Sequence, residues 1–234
     1  MSASRIFDSA TSGLHRSEDE EFLAKEAAEK LFHLRAGTNL LDFGCGTAEL
    51  TVYYARAFAR VVAADASANM LEHARRRATA FGCSNIEFYL ADDESVWTIL
   101  GGQKFEMITS AGVLQYLSEQ RIELLTARAR EHLVSGGRVV HFDIPDPRIY
   151  LLVRAGLFGD APWRLRQLAS SIFALAKFLG LKGLDLLRGA PRDVIGYQHH
   201  PQRLCALASR CGFRAEIVWS MYYEYRYHLI MHPT

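Results

Sequence analysis

The sequence predicts an α/β fold in which a mostly parallel sheet is covered by helices on both faces, and three observations support this. Residues 39–50, Asn-Leu-Leu-Asp-Phe-Gly-Cys-Gly-Thr-Ala-Glu-Leu, have the pattern of a strand, a tight turn and a helix. Short apolar runs then alternate with helical patterns as far as about residue 144. A length of 234 residues, half of them hydrophobic, suits a single α/β domain with a sizeable core.

The turn after the first predicted strand is the strongest functional signal. Gly44 and Gly46 allow backbone angles that are closed to other residues and let a ligand approach the bare main chain. A helix beginning near Ala48 would add free N–H groups suited to a carboxylate or phosphate. Dinucleotide-binding folds also use a Gly-x-Gly turn, but here Glu49 replaces their third glycine and Asp42 precedes the first glycine by two residues.

These features resemble motif I of the class I S-adenosylmethionine-dependent methyltransferases, and the resemblance extends from about residue 36 to 144. It implies a Rossmann-like, doubly wound, mostly parallel seven-stranded sheet whose antiparallel last strand lies between strands 5 and 6. It also implies S-adenosylmethionine as the cofactor and S-adenosylhomocysteine as the product. The first cofactor contacts would come from the turn, at Asp42, Gly44, Cys45 and Gly46.

A second buried run, Arg60 to Asp65, ends in an acid that lies 19 residues beyond Gly46. An acid at this point can accept hydrogen bonds from ribose hydroxyls. The alternative is an ordinary aspartate at the start of the helix that begins near Ser67. Ala66 and Met70 follow as further candidate cofactor contacts, although Met70 also belongs to the inward stripe of that helix.

Two later strand ends complete the predicted cofactor site. Ile86 to Leu90 forms a third strand, and the resemblance implies that Asp92 accepts a hydrogen bond from the adenine amino group, with Asp93 as a weaker candidate. After a fourth strand, Ser110 marks where the methyl donor and the acceptor would meet. The following residues do not resemble the Asn/Asp-Pro-Pro motif of exocyclic-amine methyltransferases, and they include no aspartate of the kind that holds magnesium in catechol-type enzymes. We therefore predict no metal.

Capping and periodicity predict most of the helices. Ser17 and Glu20 form a capping box before a helix over about 18–34, Ser118 begins another helix, and Ser135 to Gly137 turns the chain into a strand over 138–142. A helix over 202–211 and a hairpin, with strands over 213–219 and 222–231, close the fold. The predicted divisions of this single domain are a helical lid (1–35), a cofactor-binding core (36–144), a helical insertion that caps the substrate (145–200) and a C-terminal completion of the sheet (201–234).

The insertion is basic, because residues 147–195 contain eight Arg or Lys and three Asp. It is either a helical cap over the substrate pocket or an amphipathic segment that contacts an anionic membrane surface. The net charge of +1 gives no case for nucleic acid as a partner. The four cysteines include no Cys-x-x-Cys pair, and no run is long and apolar enough to span a bilayer, so we expect a cytoplasmic protein.

Methyl transfer requires alignment of the acceptor more than covalent machinery, but a hydroxyl acceptor benefits from a base. The candidates, in order, are His200, His199 and Asp143. Either histidine could instead be an ordinary loop residue. The sequence thus predicts a methyltransferase acting at an oxygen of a small molecule, such as a sugar, a lipid-linked compound or a secondary metabolite. The alternatives are a non-catalytic protein of the same fold and an NAD(P)-dependent oxidoreductase, which is disfavoured by Glu49.

Overall fold

A computed structural model describes residues 19–154 and 196–234 of the protein. The described strands are β1 (Gly37–Phe43), β2 (Phe58–Asp65), β3 (Ile86–Leu90), β4 (Phe105–Ala111), β5 (Leu133–Pro145), β6 (Phe213–Trp219) and β7 (Arg226–Pro233). The described helices are α1 (Glu20–Leu34), α2 (Thr51–Tyr54), α3 (Ala68–Ala80), α4 (Val96–Leu100), α5 (Glu119–Glu131), α6 (Pro147–Arg154) and α7 (Pro201–Arg210), with a 3₁₀ turn at Leu114–Tyr116.

The strands form one sheet in the order β3-β2-β1-β4-β5-β7-β6. Strands β1 to β5 are parallel to one another, whereas β7 is antiparallel to both β5 and β6. The predicted fold class, with its antiparallel strand between strands 5 and 6, is confirmed. Because β7 runs opposite to β5, its first residue, Arg226, pairs with Pro145 at the carboxyl end of β5. That edge is where open α/β sheets bind their ligands.

The helices cover the two faces of the sheet through separate apolar clusters. One cluster combines β1, β4 and β5 side chains with α5 and α7, for example Leu125 and Leu204. The other places α1 and α2 against the opposite face, where Leu34 and Tyr54 pack on Val140. Each helix buries an apolar stripe, and burial of such stripes is the main source of stability for helices of this length.

Two helices begin where the sequence predicts. The Ser67 hydroxyl accepts a hydrogen bond from Met70 N at 3.3 Å to begin α3, and Ser118 caps α5 through Arg121 N at 3.4 Å. Helix α1 differs in detail, because its N-cap is Asp19, whose carboxylate accepts from Glu21 N, rather than Ser17. An aspartate acceptor satisfies the first-turn N–H groups as well as a serine does.

Three other element boundaries were wrong. The helix expected near Ala48 begins only at Thr51 and is one turn long, because Ala48 adopts a left-handed φ of +62°. Strand β5 starts at Leu133, so Ser135 to Gly137 lies within it, and the β4–β5 register shifts there to absorb the glycines. Strand β7 starts at Arg226 rather than Tyr222, since the preceding residues form the connecting loop.

The predicted domain divisions remain predictions. The N-terminal part of the expected lid, residues 1–18, and residues 155–195 of the expected insertion lie outside the described residues, as does nearly all of the basic segment considered for membrane contact. Within residues 19–154 and 196–234, no helix combines the length and the apolar character needed to cross a bilayer.

Candidate functional site

The loop after β1 is fastened to the end of β2 by main-chain hydrogen bonds. Gly44 N and Cys45 N both donate to Ala64 O, at 2.7 and 3.0 Å. Gly44 has a φ of +74°, and a Cβ built on it would lie 2.4 Å from Val113 Cγ2. Glycine is therefore required at 44, both for the backbone angle and for the close approach of the loop that follows β4.

Gly46 differs from Gly44 in having free space where a side chain would lie. Its φ is +56°, yet a Cβ built on it meets no atom of the described residues within 4 Å. Its N–H donates to Asp65 Oδ2 at 2.8 Å, and the other oxygen of Asp65 accepts from Ser67 N at 2.9 Å. The loop thus leaves open space above its main chain and ends against a fixed carboxylate.

Asp65 is not the N-cap of α3, which is Ser67. Burial raises the pKa of Asp65, and the hydrogen bonds from main-chain N–H groups of Ser67, Gly46 and Ala66 oppose this. These bonds fix the carboxylate and leave its remaining lone pairs for a ligand. Contact with ribose hydroxyls stays a prediction, supported by this placement.

Asp42 and Cys45 lie beneath the loop. The Asp42 carboxylate is buried and accepts from the Thr51 hydroxyl at 2.6 Å. Burial raises the pKa of the Cys45 thiol well above its usual value, and the charges of Asp65 and Asp42 act in the same direction. The thiol is therefore protonated at neutral pH, and Cys45 shapes the loop through its main chain. Direct cofactor contact by either residue stays a prediction.

The remaining cofactor candidates are distributed along the same edge. Met70 is buried in the apolar stripe of α3, and Ala66 is half-buried between Asp65 and Ser67. Asp92 is exposed and organises its own turn, because its Oδ1 accepts from the Ser95 hydroxyl at 2.6 Å and from Ser95 N at 2.9 Å. The Ser95 hydrogen bond is the main reason that the pKa of Asp92 lies below its usual value.

Asp93 and Ser110 are engaged by protein partners. Asp93 receives Arg121 through Nε and Nη2, at 2.7 and 2.5 Å. The Ser110 hydroxyl lies 2.8 Å from His141 Nδ1 on the neighbouring strand, and both side chains are buried. Burial lowers the pKa of His141 to about 4, so the ring is neutral at physiological pH. Cofactor contact by Asp93 or Ser110 stays a prediction.

Asp143 has a distorted backbone at the point where the β5–β7 pairing shifts register. Its φ is +59°, its N–H donates to His228 Nδ1 at 3.2 Å, and its carbonyl accepts from Arg226 Nη1 at 2.7 Å. Its carboxylate receives Lys30 Nζ at 3.1 Å. The residue is buried at the carboxyl end of β5, where the catalytic candidate was expected, and it is held on three sides.

The two histidine candidates have different environments. His199 is buried, with Nε2 3.0 Å from Leu114 O and 3.1 Å from Leu117 O, and burial lowers its pKa. Its ring therefore joins the 196–200 segment to the 3₁₀ turn. His200 is half-buried and caps α7, with Nδ1 accepting from Gln202 N at 3.3 Å. A catalytic role for either remains a prediction.

A buried cluster of charged groups lies beside Asp143 and was missed by the sequence analysis. Lys30 is fully buried and lies 3.3 Å from Glu26 and 3.4 Å from Glu29. Glu29 accepts from His228 Nε2 at 3.2 Å. Since Nδ1 of His228 accepts from Asp143 N, the neutral ring carries its proton on Nε2. The only signal in the sequence was the run of charged residues in α1, which is typical of a solvated face.

Arg226 was also missed. Its side chain is buried beside Asp143 at the start of β7, and a polar residue at the beginning of a terminal strand gives little warning of such a place. Among the residues that the structure describes, no group of three or more His, Cys, Asp or Glu side chains is arranged to hold a metal ion.

Comparison with known proteins agrees with this geometry. Residues 40–137 match a family described as a methyltransferase domain. A ubiquinone biosynthesis O-methyltransferase from Cereibacter sphaeroides is 30% identical over 161 residues, which cover 68% of this chain and 62% of the relative. The chain thus spans less than two thirds of the length of the curated relatives that it matches.

Solved structures share the fold across nearly the whole chain. A complex of DhpI with SAM and HEP has a TM-score of 0.63 and 18% identity, covering 91% of this chain and 86% of the other. Magnesium protoporphyrin IX methyltransferase from Synechocystis with bound SAM has a TM-score of 0.61 and 14% identity, covering 99% and 95%.

Proposed function

The chain belongs to the class I S-adenosylmethionine-dependent methyltransferases, and from this membership we propose that it transfers a methyl group from S-adenosylmethionine to an oxygen atom of a small-molecule acceptor. The observation that carries the proposal is the β1 loop, which is clamped to Asp65 through Gly46 N and has open space above it at the carboxyl edge of the sheet. The O-methyltransferase relatives support oxygen as the acceptor atom.

The described residues fit this cofactor. The bare main chain at Gly46 would accommodate its amino-acid end or sugar at close range, and the Asp65 carboxylate would accept from the ribose hydroxyls. Asp92, exposed after β3, would accept from the adenine amino group. When bound, the cofactor would supply an electrophilic methyl carbon on its sulfonium, with the thioether sulfur as the leaving group.

The chain's own task is to align the acceptor and to exclude water. The carboxyl ends of β4 and β5 and the start of β7 form the half of this edge that lies farther from Asp65. Asp143 lies there, and its three buried attachments fix the main chain at that point. A small acceptor placed over this half would meet the methyl carbon near the end of β4.

His200 is the proposed base for the hydroxyl proton, and its hydrogen bonding sets a condition on this role. Nδ1 accepts from Gln202 N, so the neutral ring carries its proton on Nε2. To accept a proton at Nε2, the ring must adopt the other tautomer and give up this cap. The alternative is transfer of the proton to water, which suits a phenol better than an alcohol, because the more acidic hydroxyl loses its proton more readily.

Parallel calorimetric titrations with S-adenosylmethionine, S-adenosylhomocysteine and NADH test the proposal. We expect binding of the two sulfur nucleosides alone, followed by transfer of a labelled methyl group in an acceptor screen. Binding of NADH without the sulfur nucleosides would overturn the proposal. Tight binding of both sulfur nucleosides, with no turnover across hydroxylated acceptors, would favour the non-catalytic alternative instead.

A further inference from the structure

Arg226 carries a positive charge in a buried place, and no carboxylate of the described residues balances it. The residue is 4% exposed, and no carboxylate of the described residues forms an ion pair with its guanidinium. Nε and Nη2 are both buried and have no hydrogen-bond partner among those residues. An unpaired buried charge is strongly unfavourable. A site of this kind is relieved when an anion binds.

The guanidinium is fixed in orientation by its other contacts. Its Nη1 donates to Asp143 O at 2.7 Å. Its central carbon lies 5.5 Å from the centroid of the Tyr223 ring and 5.3 Å from that of Tyr225. Cation–π contacts on two rings and one hydrogen bond leave the group little freedom, so little entropy would be lost when a ligand binds.

The edge that remains is the one that arginine uses to hold an oxyanion. Nε and Nη2 point in the same direction and match the two oxygens of a carboxylate or phosphate. Four other arginines in the described part of the chain use that same edge for a carboxylate: Arg60 with Glu87, Arg121 with Asp93, Arg148 with Asp146 and Arg210 with Glu123. In Arg226 the edge is buried and lacks such a carboxylate among the described residues.

The place of Arg226 in the sheet indicates which molecule supplies the anion. It pairs with Pro145 at the carboxyl end of β5, on the opposite side of β4 from Asp65 and the β1 loop. A Cβ built on Gly112, just after β4, would meet only Arg226 Nη1, at 3.8 Å, among the described residues. The guanidinium therefore lies next to Gly112, just after the strand end where the methyl donor is predicted to sit.

Arg138 provides an instructive contrast. Its Nε and Nη2 are also buried without partners in the described part of the chain. It pairs with Met107 near the other end of the same strand, about 23 Å from Pro145 along an extended backbone. That end of a parallel sheet is not where ligands bind, so Arg138 serves as a control rather than as a second site.

We propose that Arg226 binds an anionic group of the methyl acceptor, a carboxylate or a phosphate-type oxyanion, through its Nε–Nη2 edge. The inference rests on the proposed function and narrows the acceptor to a hydroxylated small molecule that also carries an anion. The same anion chemistry is present in the carboxylate of the cofactor's methionine end, and the experiment separates these two sources.

The experiment measures binding to the protein saturated with S-adenosylhomocysteine, using matched pairs of probes. The pairs are 3,4-dihydroxybenzoate with its amide, 3-hydroxybutyrate with its amide, and 4-hydroxyphenyl phosphate with hydroquinone. We expect at least one anion to bind about 10- to 100-fold more tightly than its neutral partner. Arg226→Met should abolish this preference. Arg226→Lys should retain part of it, because the charge remains and only the Nε–Nη2 edge is lost. Arg138→Met should leave it unchanged.

Three outcomes would overturn the inference. The first is that the wild-type complex binds no anion more tightly than its neutral partner. The second is that the preference for the anion survives in Arg226→Met. The third is that Arg226→Met weakens the binding of S-adenosylhomocysteine at least tenfold but leaves the binding of methylthioadenosine, which lacks the carboxylate, unchanged. The anion held by Arg226 would then be the carboxylate of the cofactor. Failure of the wild type to bind either sulfur nucleoside would instead defeat the proposed function, and the anion pairs would then be measured on the free protein.

Unfolding transitions of the variants show whether each variant is folded, so that a lost anion preference is not caused by misfolding. If Arg226→Met does not fold, Arg226→Lys carries the test, because it keeps the charge and loses only the paired edge. If the anion preference is unchanged both in a folded Arg226→Lys variant and in Arg138→Met, the anion does not bind through the Nε–Nη2 edge of Arg226.

Discussion

Lys30 Nζ lies 3.1 Å from Asp143 Oδ1, with both side chains buried, and this pair connects α1 to the ligand-binding end of β5. The same ammonium group faces Glu26 and Glu29. Burial raises the pKa of Glu29, but the hydrogen bonds from His228 and Met221 N and the charge of Lys30 outweigh it, so the net pKa lies below its usual value. The charge of Lys30 is thus one of the interactions that favour the ionised form of Glu29.

Replacing that cation should destabilise the fold strongly. Lys30→Met leaves Glu26, Glu29 and Asp143 buried without their shared partner, and we expect the free energy of unfolding to fall by about 3–5 kcal/mol. Urea denaturation measures the change. Lys25→Met is the matched control on the same helix, because its pair with Glu21 is exposed and should contribute less than about 1 kcal/mol. Equal effects of the two substitutions would refute this account of the cluster.

The two glycines of the β1 loop should respond differently to alanine. Gly44→Ala combines a left-handed backbone with a clash against Val113, and should cost about 2 kcal/mol or more in unfolding free energy. Gly46→Ala has the backbone penalty alone, about 1 kcal/mol, but puts a methyl group into the open space above the loop. Denaturation and S-adenosylhomocysteine calorimetry together test this. Gly46→Ala with full affinity would show that the cofactor does not lie there.

Asp65→Ala should weaken cofactor binding by about 1–3 kcal/mol, the scale of a lost hydrogen bond to a charged group. Calorimetry with S-adenosylmethionine measures the loss, and Glu87→Ala, which removes an exposed carboxylate on β3, is the control. Ribose hydroxyls require the charged acceptor, and burial raises the pKa of Asp65. Affinity should therefore decline on acidification at a higher pH than an ordinary aspartate would give. Unchanged affinity in folded Asp65→Ala would remove the ribose assignment.

His141 should make stability depend on pH. The folded ring stays neutral down to about pH 4, whereas in the unfolded chain it takes up a proton near pH 6.5. The unfolded state then binds more protons in this interval, so the unfolding free energy falls as the pH is lowered through it, by about 3 kcal/mol in all. Denaturation of wild type and His141→Gln at several pH values should show a shallower loss in the variant. Parallel curves would contradict the buried neutral ring.

The neighbouring histidines should separate structure from turnover. His199→Ala removes a ring that donates to the carbonyls at Leu114 and Leu117, and we expect a loss of about 1–3 kcal/mol in unfolding free energy. His200→Ala should keep S-adenosylhomocysteine affinity and slow methylation of a hydroxyl acceptor by about 100-fold or more. Both quantities are measured once an acceptor is found. Undiminished turnover in His200→Ala would place the base elsewhere.

The glycine turn and the acid that ends the second strand could be predicted from the sequence because they are local features. Gly44, Gly46 and Asp65 belong to one strand-loop-helix-strand unit, and their spacing predicted a glycine turn followed by an acid at the next strand end, whereas the hydrogen bond from Gly46 N to Asp65 was not predicted. The expected long helix after the loop was wrong, since periodicity gave no sign of the left-handed backbone at Ala48.

The acceptor half was not readable, for a physical reason. Glu26 and Lys30 are four residues apart on a helix, a spacing that is typical of an exposed ion pair, yet both are fully buried. Their burial depends on Asp143 and His228, which come from distant strands and meet α1 only in the folded sheet. The burial of Arg226 depends likewise on where β7 inserts.

The antiparallel β7 strand therefore has a consequence for the order of folding. Gly46 and Asp65, which hold the cofactor loop, are 19 positions apart, whereas Lys30 and Asp143 are 113 apart and Glu29 and His228 are 199 apart. Short loops close at a lower entropic cost and sooner than long ones. During refolding, we expect protection from hydrogen exchange to appear around the cofactor loop first, and the residues that would receive the acceptor to assemble last.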